Sequence, residues 1–226
     1  MAKSPKSFLL EQLRAQADAV AAKRVQQLKL SREVVDRIDQ RMHVVFQYFD
    51  EACKLLQVIA PPIERRFELP HIVRYEGLHL ERASVMFRKQ RLQDHDVYDY
   101  VVVYYNLGGP APAPLRVAIR RSSEIERALT HANIEFTCDT DSSVQTGATY
   151  NVIRIAPGLR CEVRFDPDFE NGRVVVTLRN VDRFEPVILD FETAALDTKA
   201  LDDLVNFMLA KPSQFLLRAP LRGFAR

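Results

Sequence analysis

The chain has 226 residues, 47% hydrophobic and 27% charged, with a formal net charge of +2. That balance buries a core in one sizeable domain, or a domain plus an extension, and excludes collagen-like, disordered and low-complexity classes. No run approaches the roughly 20 consecutive apolar residues of a membrane helix.

Residues 1–59 carry ten Lys or Arg against seven Asp or Glu, and residues 211–226 carry four against none, so both ends are basic and the body between them is acidic. The opening, MAKSPKSFLLEQLRAQADAV, reads as a helix start and not a signal peptide, because Glu11, Arg14 and Asp18 interrupt it. Residues 1–7 read as loose, with Pro5 suited to a first helical turn. From Ser7 to Leu30 the composition is helical but the apolar periodicity is weak. Ser31 fits an N-cap or a bend, and the pattern leaves open one helix or two.

A strong stripe follows. Val35, Ile38, Met42, Val45, Phe49, Ala52, Leu56 and Ile59 alternate spacings of three and four, which is a heptad a/d pattern, and Val34, Phe46, Cys53 and Leu55 broaden it. Pro61 and Pro62 stop it. A strict seam suits another chain and a wide face suits the protein's own sheet, so both occupants stay open. Val35, Ile38, Met42, Val45, Phe49 and Leu56 are the candidate interface residues.

After the prolines the pattern turns to strands. ERRFELP, HIVRYEGLHL, ASVMFRKQRL, VYDYVVVYYNL and LRVAIRR read as extended segments. SSEIERALTHAN, residues 122–133, reads as a serine-capped helix. IEFTCDTD, TYNVIRIA, LRCEVRF and RVVVTLRNV give four more strands, the last two joined by DPDFENG with its Asn171-Gly172 turn. KALDDLVNFMLA, 199–210, is an amphipathic helix, and a short turn and basic tail close the chain. Short turns between strands imply antiparallel pairing. The expected fold is α+β: a long N-terminal helical arm over 1–60, a mostly antiparallel sheet of about six to eight strands with two shorter helices over 61–210, and a basic tail over 211–226.

Candidate chemistry is sparse. Arg120 and Arg121 before Ser122 and Ser123 suggest an anion held at a helix start. Asp94, His95, Asp96 and Asp99 are dense enough for a metal, but they lie between two strands where polar residues belong, and no metal site is expected. Tyr98, Tyr100 and Tyr104 share a strand face by alternation, with Arg82 and Arg88 on the neighbouring strand; base stacking and core packing are the two readings, and core packing is preferred. No GxSxG, HExxH or paired Cys/His motif appears, so no catalytic residue and no cofactor is assigned. The three cysteines are an odd count without CxxC spacing, which suits reduced thiols and a cytoplasmic protein, with Cys138 and Cys161 read as inward-facing.

The expected function is non-enzymatic binding, with a homo-oligomer or protein partner held through the N-terminal helices and no membrane. The alternative is nucleic-acid association through Arg116, Arg120, Arg121 and the tail residues Lys211, Arg218, Arg222 and Arg226. An enzyme with a site assembled from scattered carboxylates and arginines is the third reading.

Overall fold

The computed structural model describes residues 8–92, 94–142 and 149–224. The N-terminal segment is one continuous helix, α1, Phe8–Ile59, with Ser31 inside it. No glycine or proline interrupts that stretch. It ends where Ala60 takes a positive φ of 45° ahead of the two prolines, and the Ala60 N–H still donates to Leu56 O at 2.9 Å. Residues 1–7, including Pro5, lie outside the described residues.

The strands are β1 Pro62–Ile63, β2 Phe67–Leu69, β3 Val73–Tyr75, β4 Leu78–Leu92, β5 His95–Gly108, β6 Leu115–Ala118, β7 Phe136–Ser142, β8 Thr149–Ile155, β9 Gly158–Asp168, β10 Arg173–Arg179, β11 Val187–Glu192 and β12 Leu221–Phe224. Two further helices are α2, Ile119–His131, and α3, Thr198–Met208. Seven strands form one antiparallel sheet in the order β1-β4-β5-β9-β10-β11-β12. β2 and β3 form a separate hairpin, and β6, β8 and β7 form a three-stranded sheet. The chain is thus α+β, with the smaller sheet and α2 inserted between two neighbouring strands, β5 and β9, of the larger one.

α1 packs across β4, β5 and β9. Val35, Ile38, Met42, Val45, Phe49 and Leu56 are all buried in the chain's own core, with Cys53 beside them. The Phe49 ring lies 5.8 Å from that of Phe165 on β9, and Phe46 meets Phe87 of β4 edge-on at 4.7 Å. Each such side chain is worth about 1.5–3 kcal/mol when fully buried. Near its tip the β4–β5 hairpin is tied to the helix by polar bonds. Asp39 accepts the Tyr98 N–H at 2.7 Å, His43 and the Tyr98 hydroxyl share a bond of 3.0 Å, and Arg32 donates to His95 at 2.9 Å. α3 flanks α1, where the Tyr48 hydroxyl donates to Asp202 at 2.7 Å.

Several local expectations are corrected. Tyr98 does not share a face with Tyr100 and Tyr104. Arg88 pairs with Tyr100 and Lys89 with Tyr98, so Asp99 is an extra residue on β5, and this bulge turns Tyr98 to the helix side. α2 begins at Ile119, not at Ser122, and no side chain caps it. Ser122 lies inside the helix, buried, donating to Ile119 O at 3.1 Å and accepting from Asn151 Nδ2 at 2.8 Å. Cys138 is exposed because β7 is an outer strand of the three-stranded sheet. VILDFE, 187–192, is a further strand, and its Val187, Leu189 and Phe191 face inward by simple alternation. The C-terminal segment is not only a tail, since Leu221–Phe224 pairs with β11.

Candidate functional site

The face of the large sheet opposite α1 carries side chains in cross-strand rows. Along β5, Val101, Val103, Tyr105 and Leu107 are buried in the core, and Tyr100, Val102, Tyr104 and Asn106 alternate to the other side. Register places Arg82, Asn106 and Arg160 side by side on β4, β5 and β9. The next row is Ser84, Tyr104, Glu162 and, on β10, Arg179. Guanidinium groups lie over the tyrosine rings: Arg160 over Tyr104 at 4.6 Å, and Arg164 over Tyr100 at 4.0 Å. These are cation–π distances.

A cleft of about 540 Å³ opens at the end of this face. Its floor includes Arg82, Ser84, Tyr104, Asn106 and Arg160, and its wall is Asn133, Glu135 and Pro157 from the inserted unit. The wall is anchored. The Ala156 N–H donates to Glu135 O at 2.9 Å, and the Tyr75 hydroxyl donates to Ala156 O at 3.1 Å. Asn180 then joins wall to floor, with Nδ2 donating to Ala132 O at 3.0 Å and to Arg160 O at 3.1 Å. Gly158 sits at the same corner, where a Cβ would stand 2.2 Å from Leu107 O, so only glycine lets β5 and β9 approach there.

Electrostatics separates the arginines of this face. Arg88 pairs with Asp99 at 2.7 Å, Arg164 with Asp166 at 2.8 Å, and Arg179 with Glu162 at 3.7 Å. Arg173 lies 3.7 Å from Asp190, and Arg222 lies 3.7 Å from both Asp168 and Asp190. Burial pushes the Asp166 carboxyl up from its ordinary range, and Arg164 opposes that. Arg82 and Arg160 have no carboxylate partner among the described residues, and both border the cleft. The cleft can therefore offer an anion two guanidinium groups, a planar stack, and the amides of Asn106 and Asn133.

The other candidates are dispersed. Arg120 and Arg121 are exposed in the first turn of α2, and Ser123 is exposed beside them, but the Ser122 hydroxyl is engaged inside the fold and does not face an anion. Arg116 lies over Tyr150 at 5.4 Å. Arg218 pairs with Asp203 at 2.6 Å and Arg222 with the carboxylates above, whereas Lys211 is exposed and Arg226 lies outside the described residues. Asp99 is engaged by Arg88 and His95 by Arg32, and no group of three or more His, Cys, Asp or Glu is set to hold a metal among the described residues. Burial pushes the Cys53 and Cys161 thiols up to about 12, so neither is a thiolate near neutral pH. No helix among the described residues is long and apolar enough to cross a membrane.

From sequence, Tyr98, Tyr100 and Tyr104 group with Arg82 and Arg88 and core packing is the preferred reading; Tyr98 is buried, Tyr100 and Tyr104 are half-buried on the face opposite α1, and Arg160 and Asn106 carry no local signal. Only the antiparallel register of β5 on β9 brings them to Arg82, and that register is set by non-local pairing. The scaffold is an α+β sheet with one helix-covered face and one polar-aromatic face that ends in a cleft. No family model matches this chain, and no curated protein or solved structure matches it.

Proposed function

We propose that the protein is a cytoplasmic, non-enzymatic binding protein whose cleft takes a small planar ligand with one anionic group. The observation that carries this reading is the pair Arg82 and Arg160. They flank Asn106 at the cleft and lack carboxylate partners among the described residues, and Arg160 is already stacked on Tyr104. The anionic group would bridge the two guanidinium groups, and the planar part would lie along the Arg160–Tyr104 stack. Glu81 and Glu135 at the cleft favour one negative charge over a polyphosphate. The cleft volume suits a small molecule. Cys53, Cys138 and Cys161 are all free of disulfides, which agrees with a reducing compartment.

The test is equilibrium binding of nucleoside monophosphates, aromatic carboxylates and inorganic phosphate to the full chain. A planar anion is expected to bind, and Arg160→Ala or Tyr104→Ala to weaken it about 10- to 100-fold through loss of a charge-assisted contact or a stacking surface. Equal affinity for inorganic phosphate, or unchanged affinity in both variants, would remove the reading. Polymeric nucleic acid is a weaker fit, because most arginines of the face are neutralised by neighbouring carboxylates.

Contact with a partner through the helical arm, on this reading, belongs to the part of α1 ahead of Arg32. The stripe from Val35 to Leu56 is occupied by the chain's own sheet. Solution mass by light scattering distinguishes the cases. An oligomer that becomes a folded monomer on deletion of residues 1–31 supports an arm contact, and equal oligomeric states for both chains remove it.

A further inference from the structure

β4 is an edge strand for most of its length. β1 pairs with it only at Leu78 and His79, and the Leu80 N–H reaches Pro61 O at 3.0 Å. From Arg82 onward the side of β4 away from β5 has no strand beside it among the described residues. Arg82 to Arg88 runs in unbroken register between two irregularities, one at Glu81 and one at Asp99. A regular edge of that length presents a row of unpaired N–H and C=O groups, which is a template for another strand. The side chains match: Met86 is 56% exposed and Phe87 44%. The Phe87 ring is already braced by Phe46 at 4.7 Å and Tyr98 at 5.4 Å, so an added strand would meet a fixed apolar surface.

Charge selects the occupant. Arg82, Arg88, Lys89 and Arg91 lie along this edge, and the strand holds no carboxylate beyond Glu81. Arg88 is paired with Asp99, whereas Lys89 and Arg91 have no ion-pair partner among the described residues. Two-fold antiparallel pairing with a second copy sets Arg82 opposite Arg88 when centred on Val85 and Lys89 opposite itself when centred on Lys89, and like charges directly opposite one another destabilise a pair of strands, whereas pairing centred on Phe87 sets none opposite. An acidic segment meets both Lys89 and Arg91 with opposite charge, which no two-fold register of β4 does, because Glu81 is the strand's one carboxylate. We propose that the edge of β4 from Arg82 to Arg91 accepts an extended acidic segment of another protein as an added strand. Main-chain hydrogen bonds would supply the affinity, and carboxylates facing Lys89 and Arg91 the selection. Arg82 and Met86 of this edge also border the cleft, whereas Phe87, Lys89 and Arg91 belong to the other side-chain row of β4 and lie outside it.

The probe is a fluorescein-labelled decapeptide alternating Glu and Val, with a Lys–Val decapeptide and an alternately N-methylated Glu–Val decapeptide as controls, read by fluorescence anisotropy against the full chain. The acidic peptide is expected to bind, and N-methylation to weaken it by about tenfold or more, because it removes ladder donors. The double variant Lys89→Glu/Arg91→Glu is expected to lose the acidic peptide by a similar factor and gain the basic one, with the cleft ligand's affinity unchanged. No binding, equal binding of both peptides, or indifference to N-methylation overturns the proposal. So does a dimer by light scattering whose formation Lys89→Glu/Arg91→Glu strengthens or weakens, since the edge would then be taken by a second copy.

Discussion

The Val45→Asp variant is expected to lose its cooperative thermal transition. Val45 is fully buried at the centre of the stripe that α1 lays on β4, β5 and β9. A carboxylate there has no cation to pair with and no water to solvate it. An uncompensated buried charge costs about 3–5 kcal/mol, a large part of a total stability on the order of 5–15 kcal/mol. Phe49→Ala should be milder and still folded: it costs about 3–5 kcal/mol with partial collapse of the cavity around Phe165, whereas Val45→Asp adds to its buried charge the loss of about 1.5–3 kcal/mol of valine burial. Circular dichroism melts with light scattering check both. If the stripe instead faced a second chain, Val45→Asp would give a folded monomer of reduced mass with an unaltered melt, and the packing described here would be wrong.

Asn180→Ala is expected to destabilise the protein by about 2–4 kcal/mol, from two lost hydrogen bonds and a strained backbone. Asn180 is 2% exposed and has φ +54°, a region where asparagine and glycine are tolerated and alanine is not. Its amide holds Ala132 O and Arg160 O, so the residue ties the end of α2 to the strand that carries Arg160. Its own carbonyl accepts the Cys161 thiol at 2.9 Å. Asn180→Gly separates the two effects. It loses the same side-chain bonds but relieves the strain, so it should sit roughly 1 kcal/mol above the alanine variant in urea unfolding. The glycine variant should still bind cleft ligands more weakly, because wall and floor are no longer joined. Identical unfolding midpoints for the two variants would show that the backbone at this position stores no strain.

The helical stripe was legible because its periodicity is strict, yet its occupant was not. Spacings of three and four fit a coiled-coil seam and a sheet equally, and what separates them is whether Phe87, Val101 and Phe165 come together beneath the helix. Those residues belong to three strands whose pairing is non-local. The β9–β10 hairpin was legible from Asn171-Gly172, where Gly172 takes φ +69° and Asp168 accepts the Asn171 N–H at 3.1 Å. VILDFE carries the same alternation as its neighbours and could have been read as a strand from Val187, Leu189 and Phe191 alone. The start of α2 was not legible. Two serines before Glu124 resemble a cap, but Ser122 is drawn inside by Asn151 across the insertion, a contact no local pattern encodes. The bulge at Asp99 is likewise invisible in VYDYVVVYY, and it alone divides the tyrosines between the helix side and the cleft side.

The most direct measurement is a two-dimensional amide NMR titration of the full chain with a small planar anion such as a nucleoside monophosphate. The account predicts saturable shifts concentrated on Arg82, Ser84, Tyr104, Asn106, Asn133 and Arg160, lost in Arg160→Ala. Shifts centred instead on Arg120–Ser123 or on residues 211–224, or no shifts at millimolar ligand, would contradict it.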